Sequence, residues 1–81
     1  MTTKDYLAIG SVLAGEWAST RRNSRPDSAL TVWSVTLSIA DKFAHDNMRF
    51  DRKKFYKYVF GVEDHFAARD SLYAVRYNGE A

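Results

Sequence analysis

Arg49, Arg52, Lys53, Lys54 and Lys57 place five cations within nine residues, with Tyr56 and Tyr58 interleaved. Cations at this density contact phosphates or an acidic protein surface, and aromatic rings among them stack on bases or fill a partner's pocket. On a helix, Lys53, Lys54 and Lys57 fall at i, i+1 and i+4, on one side. Arg52, Lys53 and Lys54 would then fill the first helical turn, where the macrodipole favours Asp or Glu. A local rule broken in this way marks a candidate functional surface. The opposing reading is a solvated face balanced by Asp41, Asp46 and Asp51. A net charge of +2 and a pI near 9.0 tilt the chain only weakly towards anions.

Catalytic and metal-binding arrangements are poor. The two histidines are His45 and His65. His45 falls at a helix C-terminus, where the dipole favours an imidazolium. Glu63-Asp64-His65 puts three ionisable groups in a row, but consecutive helix positions diverge and do not converge on one metal. No Gly-rich phosphate loop, nucleophile elbow or His-x-x-x-His pair is present. The expectation is a protein that is not an enzyme and needs no cofactor or metal.

Helical periodicity positions these residues. A first helix is predicted over about Thr3–Thr20, opened by Thr2-Thr3-Lys4-Asp5 as a short capping box. Its apolar stripe is Tyr6, Ile9, Leu13 and Trp17, with Val12 beside it; Gly10 and Gly15 weaken the helix but let a neighbour approach. Residues 21–27 form a polar connector rich in arginine (Arg21, Arg22, Arg25), with Pro26 near the next start and Asp27 or Ser28 as cap.

A second helix is predicted over about Ser28–His45. Leu30, Trp33, Leu37, Ala40 and Ala44 make one seam, and Val32, Val35, Ile39 and Phe43 spread apolar character around it. Thr31, Ser34 and Ser38 tolerate burial by bonding back to helix carbonyls. Such a helix is central in a bundle or shared with a second chain. The third helix, about Arg52–Phe60, has Asp51 as N-cap, a Phe50–Phe55 staple and Gly61 as C′ residue. Residues 62–78 fit a helix through Phe66, Tyr73 and Tyr77, or a strand through Tyr73, Val75 and Tyr77. A lone strand has nothing to pair with, which favours helix. The second and third helices also permit a helix-turn-helix reading, against which stand a long connector without glycine and an apolar first helix.

The chain has 81 residues, 46% of them hydrophobic, and no cysteine. That is one domain, 1–81, without disulfide or thiolate–metal support, so its core must be rich in aromatics or completed by a second copy. Two Trp, five Tyr and five Phe supply the rings, more than such a bundle encloses. Some of Trp17, Tyr56, Tyr58, Phe60, Tyr73 and Tyr77 are therefore expected at the surface. Lack of a secretory h-region, of a spanning apolar run and of cysteine predicts a soluble cytoplasmic protein with no membrane association.

Met1-Thr2-Thr3-Lys4-Asp5-Tyr6, and more specifically Asp46-Asn47-Met48-Arg49-Phe50-Asp51-Arg52-Lys53-Lys54-Phe55, resemble a family of short bacteriophage and prophage proteins. The shared pattern is Asp-Asn-x-Arg-Phe-Asp-Arg-x-x-Phe followed by a glycine, here Gly61. This chain has Met48 where the family has proline, and residues 62–81 extend past the usual end. The resemblance implies a compact helical phage protein acting on a host protein in the host cytoplasm, including host defence systems. It transfers no site residues. Together the readings predict an all-α fold, a small bundle of three helices plus a C-terminal helical extension. The expected partner is a host protein, bound through Arg49, Arg52, Lys53, Lys54, Lys57, Tyr56 and Tyr58, with a homodimer sharing core near Trp33 or Phe43. DNA or RNA bound by the basic third helix is the alternative.

Overall fold

The computed structural model describes residues 3–23 and 25–80, with side chains as far as residue 72. Four helices follow in order: α1 Thr3–Arg22, α2 Pro26–Asp46, α3 Arg52–Phe60 and α4 His65–Glu80. No strand occurs among the described residues. The fold is all-α: α1 packs along both α2 and α3, and α4 extends the bundle by resting chiefly on α2. Thr2, expected to cap α1, lies outside the described residues, as do the side chains of Tyr73, Val75 and Tyr77.

The helix ends differ from expectation at the first connector. α1 runs on through Arg21 and Arg22, whose cations suit the negative end of the helix. α2 starts at Pro26 rather than Ser28, because proline lacks the N–H that a first-turn residue leaves unbonded. Arg25 is the N-cap and gives no side-chain cap bond; Asp27, expected as a cap, sits inside the first turn. The other ends follow the sequence. Asp51 accepts a hydrogen bond from Lys54 N at 3.1 Å, and Gly61 closes α3 in the left-handed region at φ 83°. Asp64 opens α4 by accepting from Phe66 N at 2.9 Å.

One aromatic cluster joins three helices. Tyr6 of α1, Phe43 of α2, Phe50 of the connector and Phe55 of α3 stand with neighbouring ring centroids 4.7–5.6 Å apart. The Phe50–Phe55 staple is part of it, at 5.5 Å. Further along, Trp17 meets Phe60 edge-on at 4.7 Å. α4 is tethered by the Trp33 indole N–H, which donates to the His65 carbonyl at 2.7 Å, and by Arg69 lying over the Trp33 and Phe66 rings.

The inward side of α2 is Ala29, Thr36, Ala40 and Phe43; of the predicted seam Ala40 is buried, while Leu30, Trp33, Leu37 and Ala44 are half-buried. Thr36 has 0% exposure because its hydroxyl donates to Val32 O at 2.7 Å, and a small residue there lets neighbours close in. Thr31 and Ser38 make the same back-bond but face solvent, and Ser34 is exposed as well. Val12, placed beside the α1 stripe, also points outward.

Gly10 is buried where α1 crosses α3. A Cβ there would stand 2.9 Å from Tyr58 Cδ1 and 3.2 Å from Phe55 Cε1. At Gly15 a Cβ would meet nothing within 4 Å. Gly15→Ala should therefore stabilise by roughly 0.5–1 kcal/mol through helix propensity. Gly10→Ala should destabilise by about 1–2 kcal/mol despite the same propensity gain, since overpacking outweighs it. Chemical denaturation of the pair checks the opposite signs.

Candidate binding faces

The α2–α3 corner is built by residues 46–52, and most of them are occupied structurally. Asn47 Oδ1 accepts from Arg49 N at 3.0 Å, its Nδ2 donates to the Tyr6 hydroxyl at 3.2 Å, and its carbonyl accepts from Phe50 N at 3.0 Å. Asn47 thus forms an Asx turn and pins it to α1. Asp46 pairs with Lys42 at 3.5 Å, and Met48, 98% exposed, touches little.

The expected binding residues separate into two groups. Arg52 pairs with Asp41 of α2, which, together with a bond to Tyr56, raises its pKa and occupies its charge. Its angular position lies on the buried side of α3. Tyr56 lies there too, at 5% exposure, packed on Phe60 and His65. Tyr56 is therefore not available for stacking, because its helical position coincides with Phe55, Val59 and Phe60.

Arg49, Lys53, Lys54, Lys57 and Tyr58 form the second group, all exposed. Lys53 and Lys54 stand about 100° apart on the helix with Lys57 between them, so the three share one outward arc. Among the described residues, no ion pair involves any of these four cations. Tyr58, 46% exposed, flanks the arc on the α1 side. It lines a shallow hollow of about 460 Å³ with Leu7, Arg49, Phe50 and Lys54. The hollow offers a partner an apolar floor rimmed by the cations of Arg49 and Lys54 and the carboxylate of Asp51.

The remaining rings expected at the surface, Trp17 and Phe60, are buried against each other. Phe66, on the apolar spacing that predicts α4, is 52% exposed. Phe43 is buried within the chain by the four-ring cluster, and Trp33 is half-buried against α4. His45 sits in the last turn of α2, and the His65 ring packs between Tyr56 and Phe66. No three His, Cys, Asp or Glu side chains gather as metal ligands among the described residues. No described helix is long and apolar enough to cross a membrane.

The connector arginines, which the sequence offers as part of an interaction surface, meet an apolar wall that it does not show. Arg21, Arg22 and Arg25 line a cleft of about 910 Å³ with buried Trp17, Ala29, Phe60 and Leu72. The arginine spacing was visible in the sequence; its meeting with Leu72 required the turn at Gly61. No family model, curated protein or solved structure matches this chain.

If the corner is structural, its residues should act through stability. Asp51→Ala should cost about 0.5–2 kcal/mol through the lost cap, and Phe55→Ala roughly 3–5 kcal/mol through the opened ring cluster. Thermal melts measure both. Unchanged melting of Phe55→Ala contradicts the assignment.

Proposed function

We propose that the chain is a non-enzymatic binding protein of phage type that engages an acidic surface on a host protein, in the manner of an inhibitor of host defence. The carrying observation is the outward arc of Lys53, Lys57 and Lys54, with Arg49 and half-exposed Tyr58 beside it and no acidic partner among the described residues. Lys53 and Lys54 at the positive end of α3 oppose the macrodipole. An anionic partner would relieve that opposition, and Tyr58 beside Leu7 supplies an apolar anchor within a charged rim. The phage origin and host target rest on the resemblance through residues 46–55.

Nucleic acid is the second reading, favoured by the same single-sign arc. It is weakened by the burial of Tyr56, which leaves Tyr58 as the one open ring of the cluster on α3. Base stacking along a strand needs successive platforms.

The same proposal includes a homodimer formed along the outward side of α2, where Val35 is 45% exposed beside half-buried Val32 and Ile39. An exposed apolar strip of this kind can be covered by its own copy in a two-fold contact. Sedimentation equilibrium should give twice the 9.3 kDa chain mass at micromolar concentration. Val35→Lys should return it to the monomer mass.

Lys53→Glu, Lys54→Glu and Lys57→Glu combined should abolish capture of the host partner at physiological salt. Folding should be retained or slightly strengthened, because acids at residues 53 and 54 suit the first turn by roughly 0.3–1 kcal/mol each. Retained capture by the triple variant removes the arc from the interface. Binding to random duplex DNA with a steep salt dependence would instead identify phosphate as the ligand.

A further inference from the structure

The hollow and the arginine cleft lie on one seam of the molecule. Thr3, Leu7, Ala14, Ala18 and Arg21 of α1 line one or the other, and their spacing puts them within about 60° of the helix circumference. Tyr58 of α3 lines both, and its ring lies across α1 where a Cβ on Gly10 would stand 2.9 Å away. The two are therefore the ends of a single groove between α1 and α3. It runs the length of α1, 20 residues or about 30 Å. Its surface is accessible: Leu7 is 47% and Tyr58 46% exposed, and Ala18, Pro26 and Gly61 are exposed as well. α4 rests chiefly on α2 and reaches the groove through Leu72 at the arginine end.

Cations stand at both ends of this groove. Arg49 and Lys54 line one end, Arg21, Arg22 and Arg25 the other. All five are exposed, and none enters an ion pair among the described residues. Asp51 is the one acid among the described lining residues, and it already serves as the cap of α3 by accepting from Lys54 N. The dipole of α1 accounts for Arg21 and Arg22 in its last turn. It does not account for Arg25, beyond that helix, or for Arg49, and Lys54 opposes the dipole of α3.

An occupant that fits brings acids to both ends and apolar side chains between them. A helix does so while bonding its own N–H and C=O groups internally, and its residues at i, i+3, i+4 and i+7 make one apolar stripe between polar rows. An extended peptide needs a strand edge for its backbone, and no strand occurs among the described residues. A single nucleic-acid strand needs successive stacking platforms, and Tyr58 is the one exposed ring along the groove. A second copy offers a poor match: α2, with three acids against one lysine, is the one acidic helix, and its Asp41 and Asp46 are already paired. Orientation follows from the dipoles. α1 and α3 both begin at the Arg49–Lys54 end and both finish at the arginine end. A helix antiparallel to them opposes unlike dipole ends and brings the acids favoured in its first turn to Arg21, Arg22 and Arg25. We infer that the α1–α3 groove receives an acidic amphipathic helix of a partner protein, antiparallel to α1 and α3. This rests on the protein-binding reading above and names the element that is bound.

Fluorescence anisotropy with a labelled helical peptide tests the inference. The peptide has about 18 residues, enough to span the groove, with Leu at i, i+3, i+4 and i+7 spacing and Glu in the flanking rows. Titrated with the whole chain at physiological salt, it should bind saturably, one peptide per chain. A peptide of the same composition with the Leu spacing scrambled should bind at least tenfold more weakly. Leu7→Glu and Ala18→Glu, exposed positions towards the two ends, should each weaken binding at least tenfold with an unchanged circular dichroism spectrum. Val12→Glu makes the same charge change at a 66% exposed position about 140° from Leu7 on α1, and should leave affinity unchanged. A nitroxide on the peptide N-terminus should broaden the amide resonances of Arg21, Arg22 and Arg25, and one on its C-terminus those of Arg49 and Lys54. The groove fails at residues 7 and 18 and the lysine arc at residues 53 and 57, so one can fall without the other. Equal binding of the scrambled peptide, indifference to both the Leu7 and Ala18 changes, the reversed broadening pattern, or tighter binding of a poly-dT oligonucleotide overturns the inference.

Discussion

The contact among Tyr6, Phe43, Phe50 and Phe55 is the constraint on which the rest of the molecule depends. Each ring comes from a different segment, so α1, α2, the corner and α3 are fixed at one point. Tilted and edge-on pairs of this kind add about 0.5–1.5 kcal/mol each beyond the area they bury. In a chain without disulfides that contribution is a large part of a small net stability. The hydrogen bonds at the corner serve the same point. Asn47 ties the turn to Tyr6, and Asp51 aims α3 so that Phe55 reaches the cluster.

Fixing α3 there determines what its other side presents. Once Phe55, Tyr56, Val59 and Phe60 face inward, the 3.6-residue repeat leaves Lys53, Lys54 and Lys57 outside. The same rotation carries Tyr58 onto Gly10, which makes α1 the wall of the hollow beside the lysines. At its far end α3 stops at Gly61, and the reversal there brings Leu72 of α4 towards Trp17 and the arginines. Both basic surfaces are thus consequences of one helix orientation, although their chemistry differs. One is a set of lysines beside an aromatic ring, the other a set of arginines beside an apolar wall.

Local signals in the sequence were reliable where a single residue has a strong backbone preference. Asp51, Gly61 and the Phe50–Phe55 spacing place α3 at its observed bounds. Periodicity was enough to find every helix, but not to orient α2, because apolar residues surround most of it. The inward side includes Ala40 of the predicted seam but centres on Thr36, a small polar residue that carries no hydrophobic signal and is fully buried. Burial of Tyr56 was legible from its spacing to Phe55, Val59 and Phe60; the surrounding charge suggested a surface role instead. The arginine cleft was not legible, since it joins residues 21–25 to residue 72 through the turn at Gly61.

This division bears on what the corner sequence can mean. Asn47, Phe50, Asp51, Arg52 and Phe55 are each engaged in holding the corner, through a turn bond, ring contacts, a cap or an ion pair. Any chain built on this corner needs those residue types whatever it binds. Met48 and the side chain of Arg49 are exposed and enter no hydrogen bond or ion pair among the described residues, unlike exposed Asp46, Asp51 and Arg52. A resemblance through this motif therefore speaks for a shared scaffold more strongly than for a shared partner. Partner choice is free to vary in the residues the scaffold pushes outward: Arg49, Lys53, Lys54, Lys57 and Tyr58 on one face, Arg21, Arg22 and Arg25 on the other. Under the proposed function, substitution of the arginines and lysines on those faces changes recognition at little cost in stability, whereas substitution in the corner changes stability first.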